Sequence, residues 1–266
     1  MVTRTYDSGT HDIGHDSGSN RSSDSGNRRH THHRHPDPRI ARFIAQALGD
    51  ARSVLNVGAG MGSYESAAHT ITAVEPSLAL RAQRPAALAT AVDAVAEDLP
   101  FTDGMFDASM ALFSVHQWSD VEAGMREMRR VTRGPVVVLT NDPARVRDFW
   151  LYEYAPDVLD VEARRHPPLR TLTAALGGST TVTPVPIPLD CTDGFNEAYY
   201  GRPELLLDPA VRQAGSAWSY LDDRARQDFD TSLRHALGSG AWDAAFGHLR
   251  NRPAYDGSLV LLRSTP

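Results

Sequence analysis

The sequence predicts an α/β fold in which helices cover both faces of a mostly parallel β-sheet. Short apolar segments alternate with amphipathic helical patterns over residues 36–141, as they do where parallel strands are buried on both faces. A glycine-rich loop follows the first of these segments, at the position where open α/β sheets bind ligands. The chain has 266 residues, which is enough for one large domain with a cap. We therefore expect one domain over 36–266.

The elements of the first half follow from apolar spacing and from helix-start signals. Asp37-Pro38 has the form of a helix start, and the apolar residues after it recur at helical spacing: Ile40, Phe43, Ile44, Ala47 and Leu48. The next predicted elements are, in order, a strand over 53–57, a helix over about 63–68, strands over 71–74 and 89–92, a strand over 106–113, a helix over 120–131 and a strand over 136–140.

Residues after 141 have a different character. Aromatic and Leu-rich helical patterns occupy about 144–176, and a further helical region spans about 194–250. Between them, 180–188 alternates Val and Pro with polar residues, which an edge strand tolerates. Residues 258–263 predict a closing strand. We expect 142–257 to supply substrate-side helices and an edge strand, with 194–250 as a substrate cap.

Residues 1–35 differ in composition from the rest of the chain. They consist mainly of Ser, Gly, Asp, Asn, Arg and His, and they hold six of the 11 histidines: His11, His15, His30, His32, His33 and His35. One interpretation is a metal-binding tract, and the other is a disordered tail that binds metal only adventitiously. We favour the flexible tail, because such a segment buries too little apolar surface to fix ligand geometry.

Composition excludes several classes of protein. No apolar run approaches the length of a membrane helix, and the N-terminus lacks the apolar core of a signal peptide, so a cytoplasmic location is expected. The net charge of −6 argues against a nucleic-acid partner. The single cysteine, Cys191, excludes an intramolecular disulfide and any zinc site built on several thiolates. We expect Cys191 to be a small buried residue rather than a nucleophile. All basic residues are Arg, which excludes Lys Schiff-base chemistry.

The strongest functional signal is a strand that leads into Gly-x-Gly-x-Gly at Gly58, Gly60 and Gly62. Glycines there allow a sharp turn and let a ligand approach bare main chain. Glu75 ends the second strand, 17 positions after Gly58, and its carboxylate can accept both hydroxyl hydrogens of a ribose. The alternative is a glycine turn needed only for packing. The combination of loop, acid and strands favours a nucleoside-cofactor site.

The loop resembles motif I of the class I S-adenosylmethionine-dependent methyltransferases, in particular the ubiquinone-biosynthesis-like small-molecule group. Nicotinamide enzymes, by contrast, have their third glycine one position later. The resemblance covers about 36–141 and continues through five further segments: Ala73-Val74-Glu75-Pro76-Ser77, Ala96-Glu97-Asp98-Leu99-Pro100-Phe101, Phe106-Asp107, Phe113-Ser114-Val115-His116-Gln117-Trp118 and Arg126-Glu127-Met128-Arg129-Arg130-Val131. It implies a Rossmann-like, seven-stranded sheet with an antiparallel last strand, and a cofactor-binding core over 36–141.

The resemblance also implies the cofactor, S-adenosylmethionine, with S-adenosylhomocysteine as its product, and it implies contacts residue by residue. The methionine part and the ribose would contact Asn56, Val57, Gly58, Ala59, Gly60 and Gly62; Glu75 would hold the ribose; Pro76, Ala96 and Glu97 would border the adenine; Phe113 and Ser114 would lie beneath the sulfonium. Two positions depart from the family. Asn56 replaces a common Asp, and Val95 replaces a common acid before Ala-Glu.

Candidate acceptor-side residues follow the fourth strand and continue in the C-terminal part. His116 is either a general base that takes a proton from a substrate hydroxyl or a residue that only shapes the pocket. Aromatic residues at helical spacing belong to the core more often than to a pocket, so only some are proposed as substrate contacts: Trp118, Trp150, Tyr154 and Tyr199.

These observations predict an enzyme that transfers a methyl group from S-adenosylmethionine to a small-molecule acceptor, most plainly in biosynthesis. No metal, nucleic-acid or membrane partner is expected. Two alternatives stay open: a non-methylating enzyme on the same scaffold, such as a cyclase, and a regulatory protein that only senses the cofactor. The acceptor, the methylated atom (O, N or C) and the oligomeric state do not follow from the sequence.

Overall fold

A computed structural model describes residues 34–266, so the predicted tail lies outside it except for Arg34 and His35. The helices are α1 Pro38–Leu48, α2 Leu78–Ala82, α3 Val121–Arg130, α4 Pro156–Arg165, α5 Leu169–Leu176, α6 Pro209–Arg212, α7 Asp223–Ser239 and α8 Ala241–Phe246. The strands are β1 Ser53–Val57, β2 Thr70–Val74, β3 Ala108–Leu112, β4 Val136–Asn141, β5 Ser179–Pro184, β6 Ile187–Pro188, β7 Ala254–Tyr255 and β8 Leu259–Thr265. Short 3₁₀ turns connect many of these elements.

The central sheet confirms the predicted α/β class. Within the described residues it has six strands in the order β2-β1-β3-β4-β8-β5. Strands β1 to β4 run parallel, whereas β8 is antiparallel to both of its neighbours, as the family resemblance implied for the last strand. The sheet therefore has one strand fewer than expected. The predicted strand over 89–92 is reduced to a single parallel bridge between Val92 and Val74, held by two backbone hydrogen bonds.

The predicted helix over 63–68 is wrong, because this segment forms turns. Gly62 has a φ of +92° and Tyr64 a φ of +66°, and a right-handed helix cannot pass through either conformation. The Tyr64 hydroxyl donates to Asp193 over 2.8 Å and accepts from the N–H of Asp37 over 3.2 Å. These two hydrogen bonds tie the loop to the start of α1 and to the C-terminal part.

Both faces of the sheet are buried, which explains its uninterrupted apolar strands. Val54 of β1 packs in a cluster with α1 and the C-terminal aromatic residues, whereas the next residue, Leu55, packs with α3 and α5. Successive side chains of a strand point to opposite faces, so both must be apolar. The parallel strands β1, β2 and β3 therefore place their carboxyl ends side by side at one edge, where loops are free to form a site.

The C-terminal part is mostly helical, as predicted for 144–176 and 194–250, although many turns are 3₁₀ rather than α. The predicted edge strand is divided into β5, at the edge of the main sheet, and β6, which pairs with β7 in a separate two-stranded sheet. No helix within residues 34–266 is long and apolar enough to span a membrane.

Candidate active site

The glycine loop after β1 lies directly against the end of β3. Gly58 has a φ of +68°, and a Cβ atom on it would lie 2.6 Å from Ser114 Cβ. The Ser114 hydroxyl donates to the carbonyl oxygen of Val57 over 3.0 Å, which holds the two strand ends together. Only glycine fits this close to Ser114. The packing of the loop against the end of β3 therefore requires glycine at position 58, which the sequence motif alone did not show.

Glu75, at the end of β2, points into the same loop. One carboxylate oxygen accepts from the N–H of Gly60 over 2.8 Å, and the other accepts from the N–H of Ser77 over 2.9 Å. Each oxygen keeps lone pairs for a further donor. A Cβ on Gly60 would meet no atom within 4 Å, so open space borders this carboxylate. The loop and Glu75 thus fit a ligand that presents two hydroxyl donors to bare main chain, as a ribose does.

Two residues that the sequence analysis did not identify compensate for the missing acid at Asn56. The Asn56 amide donates to Glu65 over 2.9 Å, and Glu65 forms a salt bridge of 2.8 Å with Arg84. Both charged side chains are nearly inaccessible, with 2% and 4% exposure, and Arg84 also donates to the carbonyl oxygen of Gly60 over 3.1 Å. The hydrogen-bonded side chains of Asn56, Glu65 and Arg84 therefore connect β1 to the glycine loop.

Ala96 and Glu97 lie beside the loop that follows β3. The Glu97 carboxylate accepts from the N–H groups of Ser119 and Asp120 over 2.7 and 2.9 Å. Although burial opposes it, the N–H of Asp120 and neighbouring donors lower the pKa of Glu97. Ala96 is buried, and the Trp118 ring covers Gly124 close by. Since the Glu97 carboxylate is occupied, its contact with an adenine edge stays a prediction.

Phe113 ends β3 in a left-handed conformation, with a φ of +53°, which is unusual for a residue with a side chain. The Arg34 guanidinium lies 4.9 Å from the centre of its ring, and Phe195 packs beside it at 5.7 Å. Arg34 also forms an ion pair with Asp193, which raises its pKa although burial opposes the charge. Arg34 falls within the segment predicted as a flexible tail, and no local motif marks it as a functional residue.

His116 stacks on His166, with ring centres 4.7 Å apart and an angle of 19° between the rings. Burial, the neighbouring His166 and the positive charges of Arg165 and Arg34 lower the pKa of His116 to about 3. Burial and Arg165 lower the pKa of His166 to about 4. Neither buried Nδ1 atom has a hydrogen-bond partner within the described part of the chain. Both rings are therefore neutral at physiological pH.

Glu162, on α4, is a further acidic group that the sequence analysis did not identify. One of its oxygens accepts from the Asn196 amide over 3.0 Å. Burial raises its pKa, although the Asn196 hydrogen bond, Arg165 and Arg34 oppose the rise. Arg34, His116 and Glu162 each keep partial solvent accessibility although protein atoms surround them closely, and Arg34 lies near enough to act on the charge of the other two. The three side chains therefore border a deep recess rather than the open surface.

The four aromatic residues proposed as substrate contacts separate into two groups. Trp118 lies against the glycine loop, and Tyr199 lies near Arg34 and Asp193. Trp150 donates its N–H to the carbonyl oxygen of Tyr200 over 2.9 Å, and it packs edge-to-face on Tyr154. Trp150 also contacts two further aromatic residues, Trp242 and Phe246, and it belongs to the core.

Cys191 is buried, and burial raises the pKa of its thiol to about 12. A thiol with so high a pKa is unreactive at neutral pH. The structure therefore agrees with the prediction that Cys191 is a small buried residue.

Comparison with known proteins agrees with this geometry. A family model described as a methyltransferase domain matches residues 55–138, which run from the middle of β1 through the glycine loop, β2 and β3 to the middle of β4. A crystal structure from Anabaena variabilis, of a protein named as a methyltransferase, superposes with a TM-score of 0.81 at 27% identity, over 89% of this chain and 100% of that one. Residues 55–138 therefore form a methyltransferase domain, and the fold and the geometry of the site are consistent with the class I S-adenosylmethionine-dependent methyltransferases. S-adenosylmethionine is accordingly the cofactor of this methyltransferase domain.

Two other relatives match less closely. The uncharacterized protein YafE of Escherichia coli is 33% identical over 93 residues, which are 34% of this chain and 44% of that protein. The alignment with this chain thus spans less than half of the length of this curated relative. The YcgJ protein of Bacillus subtilis, at 16% identity and a TM-score of 0.51 over 85% of this chain and 97% of that one, shares the fold.

Proposed function

We propose that this protein transfers a methyl group from S-adenosylmethionine to a small-molecule acceptor in a biosynthetic pathway. The observation that carries the proposal is the partly accessible recess at Arg34, His116 and Glu162, next to Phe113 and the glycine loop. The Anabaena variabilis relative, which spans the C-terminal part as well, is named as belonging to an antibiotic biosynthesis pathway. That name supports a small acceptor.

The cofactor supplies an electrophilic methyl group on a sulfonium, so the residues of the chain need mainly to align the acceptor and exclude water. Glu75 would hold the ribose, while the close contact of Gly58 with Ser114 brings the loop against Phe113. Trp118, half-buried beside Gly58, would keep water from the sulfonium. A neutral His116 would accept a hydrogen bond from the acceptor and form one wall of its pocket.

The pairing of the first described residues beside this recess favours a small acceptor over a macromolecule. Arg34 forms an ion pair with Asp193, and the N–H of His35 donates to the carbonyl oxygen of Thr192. A protein or nucleic-acid chain would have to displace this bridge to reach Phe113. The net charge of −6 also disfavours nucleic acid.

Incubation with methyl-labelled S-adenosylmethionine and a panel of small phenols, amines and carboxylic acids tests the proposal. We expect at least one panel member to gain the label, and the masses of the products should increase by one CH₂ group. The Gly58→Ala variant, which lacks the close approach, serves as the inactive control. Turnover of an acceptor with no change in the mass of its product would instead indicate a non-methylating enzyme, and cofactor binding without any turnover would indicate a sensor.

A further inference from the structure

Glu162 is an acidic group of this recess with one oxygen free to receive a proton. Its Oε2 accepts from the Asn196 amide over 3.0 Å, whereas Oε1 has no hydrogen-bond partner among residues 34–266. Glu162 lies in the last turn of α4 and keeps partial solvent accessibility although protein atoms surround it closely. An accessible carboxylate oxygen that has no donor is available to a bound molecule.

A buried relay fixes the orientation of this carboxylate. The Trp218 N–H donates to Asn196 Oδ1 over 2.8 Å, so the amide must present its NH₂ group to Glu162. Indole has only a donor, and Asn196 therefore cannot rotate its amide without losing both bonds. The relay holds Oε2 in place and leaves Oε1 as the oxygen available to a further donor.

The stacked histidines place Glu162 beside the reacting position that the family resemblance assigns to Phe113. His166 follows Glu162 by one helical turn, and its N–H donates to the Glu162 carbonyl oxygen over 3.1 Å. The His166 ring stacks on His116, three residues after Phe113, with ring centres 4.7 Å apart. Arg34 lies 4.9 Å from the centre of the Phe113 ring, and its charge acts on both Glu162 and His116.

His116 is poorly suited to keep a proton in this environment. Burial and three positive or titratable neighbours, His166, Arg165 and Arg34, lower its pKa to about 3, so the protonated ring is strongly disfavoured. The same two arginines stabilise a carboxylate at Glu162, and burial raises the pKa of the protonated acid. A raised pKa makes the ionised carboxylate of Glu162 a stronger base.

We propose that Glu162 is the general base of the methyl transfer, with Asn196 and Trp218 as its positioning residues. The proposal rests on the function proposed above. The acceptor O–H or N–H gives its proton to Glu162 Oε1 as the oxygen or nitrogen forms a bond to the methyl carbon. The sulfur–methyl bond breaks at the same time, and its electron pair stays on sulfur. The acceptor loses a proton and gains a methyl group, so its charge does not change. Glu162 later releases the proton to water.

Glu162→Gln tests this role, because it keeps the size of the side chain and an acceptor for Asn196. Phenol stays protonated at pH 8, whereas thiophenol is largely ionised, so the two probes differ in their need for a base. We expect the variant to methylate phenol about 10²–10⁴-fold more slowly and thiophenolate nearly as fast as the wild type. Glu153→Gln, the same change at an exposed position just before α4, is the matched control and should keep both rates.

A measurement without turnover completes the test. An infrared pH titration of the S-adenosylhomocysteine complex should show a carboxyl that stays protonated above the usual range of Glu and that disappears in Glu162→Gln. Glu197, whose pKa is raised to about 7 by burial, would contribute a second signal, which Glu197→Gln identifies. Equal phenol rates in Glu162→Gln and wild type, or no carboxyl signal lost in the variant, would overturn the proposal. Failure of the proposed function would appear differently, as no methylated product from any panel acceptor with the wild type.

Discussion

The cofactor half of the site, residues 53–141, and the acceptor half, residues 142–257 with Arg34, hold their functional groups in different ways. In the cofactor half, the Glu75 and Glu97 carboxylates are held by backbone N–H groups, and the Ser114 hydroxyl donates to a backbone carbonyl. In the acceptor half, the functional groups contact other side chains, as Arg34 does with Asp193 and Glu162 with Asn196. The two halves meet at Phe113, where Arg34 covers the ring.

This difference explains why one half leaves a recognisable motif and the other does not. A group bound to backbone requires one residue type at a fixed position in a fixed loop, and such requirements appear as short local patterns. A side-chain pair needs only two complementary residues at any separation, and Arg34 and Asp193 are 159 positions apart. We infer that the cofactor half specifies a shared chemistry and that the acceptor half specifies the individual substrate.

The largest effect is expected from a substitution that breaks the contact between the glycine loop and the end of β3. Gly58→Ala would force a Cβ to 2.6 Å from Ser114 Cβ and strain a φ of +68°. We expect a loss of at least about 100-fold in S-adenosylhomocysteine affinity and about 1–3 kcal/mol in the free energy of unfolding. Calorimetry and chemical denaturation measure these two quantities.

Gly49→Ala is the matched control for Gly58→Ala. Gly49 has a similar φ of +61°, but a Cβ on it would meet no atom within 4 Å in the described structure. The Gly49→Ala variant should lose about 1 kcal/mol in the free energy of unfolding from backbone strain alone. Its affinity for S-adenosylhomocysteine should not change. Equal loss of affinity in both variants would show that strain, and not the close approach to Ser114, determines binding.

The next effect concerns the stacked histidines, His116 from the cofactor half and His166 from the acceptor half. His116 and His166 titrate at about 3 and 4 in the folded protein and at the ordinary 6.5 when unfolded, so the unfolded state binds more protons below pH 6.5. The free energy of unfolding should therefore fall as the pH decreases from 6.5 towards 4, by about 1.4 kcal/mol per pH unit for each ring. Urea denaturation at several pH values measures this slope.

His166→Gln should remove the contribution of one of the two rings to the slope of unfolding free energy against pH, since glutamine does not titrate. His248, an exposed histidine on the C-terminal side, is the matched control, and His248→Gln should leave the slope unchanged. An unaltered slope in His166→Gln would mean that other groups cause the acid sensitivity.

A smaller effect tests the relay that orients Glu162. Trp218→Phe removes the donor to Asn196 and leaves a buried amide oxygen without its partner, which should cost about 1–3 kcal/mol in addition to the lost volume. Trp242→Phe makes the same change where the buried indole N–H has no partner within the described residues, so only the volume term should remain. Thermal and urea denaturation of the two variants isolates the hydrogen bond, and equal losses would contradict its assigned role.

Features that depend on the backbone could be predicted from the sequence, whereas contacts between distant side chains could not. Apolar runs correctly indicated β1 and β4, and Gly58, Gly60 and Glu75 lie together as the motif required. The helix predicted over 63–68 does not form, because positive φ at Gly62 and Tyr64 serves the contact with Asp193, which no local pattern records. Glu162 reads as an ordinary helical glutamate until Asn196 and Arg34 are placed beside it.

The most direct test of the account is calorimetric titration with S-adenosylhomocysteine of the wild type and of two variants, one from each half. Glu75→Ala removes the carboxylate beside the open side of Gly60, and we expect its affinity to fall by about 1.5–3 kcal/mol, the range for hydrogen bonds to a charged group. Glu162→Gln should bind as tightly as the wild type. Unchanged affinity in Glu75→Ala would contradict the assignment of the ligand to the glycine loop, and with it the division of the site into two halves.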